Sequence, residues 1–257
     1  MHHKLSCLDR FRIFFDNKEF EIIETPLPKD DPLGFIDNKK YTARLKSARE
    51  VTNQDDAILI ARGKLNGIDI TSGAQDFRFI GGSFGSASGE AFISGIQHAI
   101  NNKTPFVFFS CSGGQRMMES SIALMQMSRT VLAVNELKKN NLPFIVVLTN
   151  PTTGGVTASW AMLGDILIGE PRATIGFAGR RVIQDTVKET LPEEFQTAEY
   201  VKDQCGGIDL VVERKYLSST IGTLLSVLLK KEETRANTDK SNAVTIDKSL
   251  QEVTKAV

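Results

Sequence analysis

The chain has 257 residues, 41% of them hydrophobic and 7% aromatic, ordinary values for a globular protein with room for a large core. Its 31 basic side chains balance 31 acidic ones, which argues against general binding to nucleic acid or to an anionic membrane surface. No apolar run approaches the roughly 20 residues that cross a bilayer, Met1-His2-His3-Lys4 leads into no apolar signal core, and Cys7, Cys111 and Cys205 are too few and too scattered for a disulfide framework or a cysteine zinc site.

Residues 1–50 are charged and mixed, with a turn-rich stretch from Pro26 to Pro32 and a polar helix predicted over Lys39 to Glu50. Ala57 to Ala61 reads as a strand, and Leu65 to Ile70 as a turn feeding a second one. Strand and helix then alternate. Glu90 to Asn101 carries a helical apolar face through Phe92, Ile93, Ile96 and Ile100, and Pro105 to Phe109 is a strand buried on both sides. A long helix is expected over Gln115 to Lys139, its apolar face running through Met118, Ile122, Met125 and Leu132. Pro143 to Leu148 is again a buried strand, followed by a helix over Gly155 to Met162 and short strands at Ile166 to Ile168 and Thr174 to Phe177. Helices over Val182 to Glu189 and Glu194 to Gln204, then Asp209 to Val212 and Tyr216 to Leu229, close the series. This is an α/β chain: a segment over 1–50, one unit over 51–230, and a polar tail or surface helix over 231–257.

The informative residues lie where strands give way to helices. Gly81-Gly82-Ser83-Phe84-Gly85-Ser86 is neither a P-loop nor a dinucleotide fingerprint, and by itself reads equally well as a tight loop. Ser112-Gly113-Gly114-Gln115-Arg116 follows a buried strand. Its glycines let a ligand approach the backbone, and outward amides at a helix start would hold a negative oxygen, such as that of a thioester enolate. Helix capping by Ser112 explains the same pattern. A third turn, Thr149 to Val156 with Gly154-Gly155, repeats the context, so the two together suggest neighbouring amide-lined pockets. Cys111 has no histidine in a supporting pattern and His98 reads as structural. The Glu193-Glu194 pair reads as a cap, and Met117, Met118, Met125 and Met127 as core filling.

Phe79 to Ser86, Ser112 to Met117, Pro151 to Ser159, Ala161 to Ile166 and Ile175 to Gly179, in this order and spacing, resemble the β subunits of bacterial and plastid acetyl-CoA carboxylase carboxyltransferase. The likeness runs from about His2 to Leu229. It implies a crotonase-like spiral of ββα units and an active site shared with an α subunit in an α2β2 assembly. It also implies acetyl-CoA as substrate and carboxybiotin supplied on a separate biotin carboxyl carrier protein, whose freed ureido nitrogen serves as the base. By the same likeness Gly114 and Gln115 hold the enolate oxygen. Gly154 and Gly155 line the substrate cleft together with Ser112, Gly113 and Arg116, while Gly81, Gly82 and Ser83 shape the CoA side. The setting would be the bacterial cytosol or plastid stroma, with no membrane.

The chain departs from the family pattern in having no four-cysteine zinc ribbon before His2, so neither a metal nor nucleic-acid binding is expected of it. Gln115 stands where Ala is usual, Met118 where Gln is, and Arg180 where Pro is. The competing expectations are a malonate decarboxylase subunit, a crotonase-type hydratase or isomerase, and a degenerate β-like chain that binds an active partner without catalysis.

Overall fold

The computed structural model describes residues 3–188 and 190–229; the tail expected over 231–257, and Glu189 at the end of a predicted helix, lie outside them. Helix α1 (Cys7–Phe14) leads to β1 (Phe20–Ile23) and α2 (Tyr41–Thr52), and a hairpin of β2 (Ile58–Leu65) and β3 (Ile68–Gln75) runs into α3 (Ser86–Asn102). Then come β4 (Phe106–Ser112), α4 (Ser120–Lys139), β5 (Phe144–Thr153), β6 (Ile166–Gly169) and β7 (Ile175–Gly176). The last elements are α5 (Arg180–Val187), α6 (Ala198–Cys205), β8 (Leu210–Val211) and α7 (Leu217–Leu228). The strands form one sheet in the order β1-β2-β3-β4-β5-β6-β8, with β7 beside the end of β5. β1, β2 and β3 pair antiparallel and every later pair is parallel.

The continuous apolar runs of β4 and β5 are the signature of strands covered on both faces. Side chains alternate across the sheet. Phe106, Phe108, Phe144, Val146 and Leu148 pack with Phe92 of α3 and Trp160, while Val107, Phe109, Ile145 and Val147 pack with Phe11 and Phe14 of α1 and Ile221 of α7. Glu170, just past β6, is buried under this second layer. It accepts hydrogen bonds from Arg10 of α1 (2.5 Å) and from Arg214 ahead of α7 (2.7 and 3.0 Å). No described helix is long and apolar enough to cross a membrane.

Several expected elements shift. The long helix starts at Ser120 rather than Gln115, after a single 3-10 turn over Met117–Glu119. Its buried stripe is Ala123, Gln126, Thr130, Val134 and Leu137, so Met125 and Leu132 face outward, and Met117 is 82% exposed rather than in the core. Polar residues fit inside because Thr130 Oγ1 bonds its own backbone at Gln126 O (2.8 Å) and Gln126 packs directly on Gly89 of α3. Residues 155–162 are turns ending in a 3-10 segment, Trp160–Met162, not a helix. α6 begins at Ala198 because Thr197 caps it, accepting from Tyr200 N at 3.2 Å.

Candidate active site

The three glycine turns meet at one edge of the sheet. Phe84 and Gln115 form a parallel bridge, with Phe84 N donating to Gly114 O and Arg116 N to Phe84 O, both at 2.9 Å. Gly113 N donates to Gly81 O at 3.0 Å, and Ser112 Oγ donates to Gly82 O at 2.7 Å. The first turn is thereby stitched to the second. The third touches the second through backbone alone: a Cβ on Gly154 would lie 2.9 Å from Gly114 Cα, and Gly114 and Gly154 both have positive φ, +118° and +68°. A side chain on Gly154 would force a chain to move, while one on Gly114 would have room but a strained φ. The peptide bond Asn150-Pro151, which opens the third turn, is cis.

With α4 starting five residues later than expected, the amides of Gly114 and Gln115 belong to a loop and not to a helix end. Gly114 N–H is held, donating to Ser112 Oγ at 3.0 Å. Among the described residues, Gln115 N–H and Gly155 N–H have no acceptor. They are the open donors where the two turns touch; Val156 N–H, next along the third turn, likewise has no acceptor among the described residues. The Gln115 side chain folds back to α4, its Nε2 on Ala123 O and its Cγ 2.5 Å from where a Gly155 Cβ would stand; among the described residues its buried Oε1 has no partner.

Arg116 was expected to face substrate. Its side chain is instead 0% exposed and its donors are spent inside the protein. It makes a two-pronged bond to Asp56 (2.5 and 2.8 Å), reaches Tyr41 Oη, and holds Ser83 through both O (2.6 Å) and Oγ (3.1 Å). Glu119 completes the cluster, accepting from Tyr41 Oη (2.6 Å) and, through its other oxygen, from Ser86 N at the start of α3 (2.6 Å). That carboxylate meets the positive end of the helix. Burial opposes the Arg116 charge, but Asp56 more than compensates and raises its pKa. Burial pushes the Tyr41 hydroxyl well above its ordinary value. Arg116, Ser112 and Ser83 thus set the shape of the turns from behind. Asp56, Glu119 and Tyr41 were not legible in sequence as part of this site.

The side chains set aside earlier have local duties. Cys111 Sγ lies 3.3 Å from Asn150 O, and burial raises its pKa, unlike that of an activated thiol. His98 Nδ1 bonds Thr71 Oγ1 at 3.0 Å, and burial lowers its pKa. Among the described residues no cluster of three His, Cys, Asp or Glu could hold a metal.

The carboxyl transferase domain family matches residues 28–256. The chain is 57% identical to the acetyl-coenzyme A carboxylase carboxyl transferase subunit beta of Pelagibacter ubique over 230 residues, 90% of this chain and 74% of that one. It is 52% identical to the corresponding subunit of Brucella abortus over 238 residues, 93% of this chain and 78% of the relative. In structure it is similar to transcarboxylase 12S (TM-score 0.70, 23% identity, 87% of this chain but 41% of that one). It is also similar to a Pseudomonas malonate decarboxylase hetero-dimer (TM-score 0.65, 19% identity, 87% and 86%). The expected α/β, crotonase-like architecture agrees with these neighbours. Touching glycine turns at the ends of parallel strands and sustained identity over nine-tenths of the length lead to one conclusion: the chain belongs to the carboxyl transferase domain family, among the β subunits of acetyl-CoA carboxylase carboxyltransferase.

Proposed function

We propose that this chain holds acetyl-CoA for carboxylation to malonyl-CoA, and that it acts with an α subunit that completes the site in an α2β2 assembly. The observation that carries the reading is the pair of open amides, Gln115 N–H and Gly155 N–H, on turns in backbone contact. Removing a proton from the acetyl methyl moves negative charge onto the thioester oxygen. Fixed amide donors hold that charge more strongly in the enolate than in the thioester, which is what lowers a barrier. Gly114, whose own amide is engaged, contributes a φ of +118° that other residues rarely adopt. Gly81, Gly82 and Ser83 shape the neighbouring wall, fixed by Ser112 and Arg116.

The turns present amides and no free acid or base, since Arg116 and Glu119 are engaged with each other and with Tyr41, Asp56 and Ser86. That donor set suits a cosubstrate that brings its own proton acceptor. Carboxybiotin, delivered on a separate carrier protein, supplies the carboxyl group and a ureido nitrogen that accepts a proton. On this reading residues 51–230 form the catalytic unit and the reaction belongs to the cytoplasm.

The test is malonyl-CoA formation from acetyl-CoA by the chain mixed with its α subunit and a carboxybiotin donor, each chain alone serving as control. Turnover only in the mixture is expected. A stable complex without turnover would refute catalysis and favour a binding-only chain, with Gln115 filling the gap beside Gly155.

A further inference from the structure

The first turn holds a backbone conformation that its first residue resists. Ile80, Gly81 and Gly82 are consecutive residues at positive φ, +48°, +67° and +60°. Glycine takes such angles freely, and Gly82 has no room for a side chain, since a Cβ there would run into Cys111 O. Ile80 is branched at Cβ, which makes its left-handed φ a steric outlier. Strain of this kind persists only where the surroundings over-determine it. Here they do so from two sides. The Ile80 side chain is half-buried, packed against the cluster of Tyr41, Leu45 and Ala48 of α2 with Ala57 and Phe79. Its backbone closes the turn, Ile80 O accepting from Ser83 N at 3.2 Å.

The carbonyls of this turn carry the second one. Gly81 O accepts from Gly113 N, and Gly82 O accepts from both Gln75 Nε2 (2.7 Å) and Ser112 Oγ. Ser112 Oγ in turn accepts from Gly114 N, and the next amide along the chain is the open Gln115 N–H. We propose that Ile80 is a positioning residue: anchored on the α2 cluster, it locks the left-handed turn, whose carbonyls fix the direction of the Gln115 amide. A glycine at position 80 would relieve the strain and free the turn to move. The hold on the turn is independent of the reaction; its effect on turnover rests on the carboxyl transfer proposed above.

Ile80→Gly, which keeps the angle and loses the anchor, tests this. Backbone amide exchange of the full chain should speed about tenfold at Gly113 and Gly114. With the α subunit and a carboxybiotin donor, kcat for malonyl-CoA formation should fall about tenfold. KM for acetyl-CoA should stay near wild type, because the donors act on the enolate more than on the thioester. Lost packing and relieved strain oppose one another in the thermal melt, which should move by no more than about 4 °C. Ile80→Val keeps the branch and most of the contact, and should restore exchange and kcat close to wild type. Unchanged exchange or unchanged kcat in Ile80→Gly, or a melt that collapses together with turnover, overturns the proposal. The unmodified complex separates the two readings. Turnover there with unchanged exchange in Ile80→Gly removes the role of Ile80 alone; faster exchange without any turnover in the unmodified complex removes the reaction and leaves the lock on the turn.

Discussion

Gly154→Ala separates backbone strain from displacement of the site. At φ +68° an alanine pays roughly 1–2 kcal/mol for a left-handed conformation. In addition its Cβ would stand 2.9 Å from Gly114 Cα and 3.3 Å from Gly113 O, both backbone atoms. Ordinary carbon contacts are about 3.5–4.0 Å, so one turn must retreat by roughly 0.5–1 Å and take its open amide with it. A misplacement of that size costs about 100-fold in rate. Gly67→Ala is the matched control: its φ is +72°, it sits in the β2–β3 hairpin, and a Cβ there meets nothing within 4 Å. The thermal melt should fall by a few degrees in Gly67→Ala, about 2–4 °C per kcal/mol for a domain of this size, and further in Gly154→Ala, which adds the clash. Malonyl-CoA formation with the α subunit should fall about 100-fold in Gly154→Ala and stay near wild type in Gly67→Ala. Equal activity in the two variants would refute the argument that contact between the turns sets the position of the donors.

Arg116→Met removes the cation between Asp56 and Glu119 and should cost about 3–5 kcal/mol in urea unfolding, because two buried carboxylates lose their partner. Glu170 supplies a pH test: burial pushes its carboxyl up, but hydrogen bonds from Arg214 and the charge of Arg10 outweigh this and hold it below the ordinary value. The stabilisation is therefore complete above the unfolded-state pKa of about 4.3 and is lost as pH falls through the folded value. Glu170→Gln should be less stable at neutral pH, and its acid unfolding curve should be flatter below about pH 4.3. Among the three cysteines, Ellman's reagent should titrate Cys205 rapidly in the native protein and Cys7 and Cys111 only on unfolding; fast reaction of Cys111 would contradict its buried setting.

The strands were legible because burial on both faces leaves a mark that neighbours cannot imitate, as in Phe106–Phe109 and Phe144–Leu148. The glycine turns were legible for a similar reason, since Gly154 stands where a side chain would collide and Gly114 holds a φ of +118° that other residues rarely adopt. What sequence did not reveal depends on partners far along the chain. Periodicity placed the start of α4 at Gln115. Arg116 and Glu119 turn inward instead to Asp56 and Tyr41, 60 and 78 residues away, and the helix waits until Ser120. Along α4 hydrophobicity and burial do not coincide. Thr130 satisfies its hydroxyl on its own helix and can go inside, while Met125 and Leu132 stay out. The state of the Gly114 amide turned on one hydroxyl, that of Ser112, two residues earlier.

The clamp on Glu170 sets an order of events during synthesis. Arg10 leaves the ribosome 160 residues before its carboxylate, and Arg214 follows 44 residues after it. α1 can lay Phe14 on Phe109, 4.9 Å between ring centres, once β4 exists. Its guanidinium must still wait in water for β6 to be made, and Glu170 is doubly held only when the residues before α7 emerge. The earliest helix to form is thus among the last to lock. A nascent chain halted short of Arg214 holds this layer through one cation instead of two.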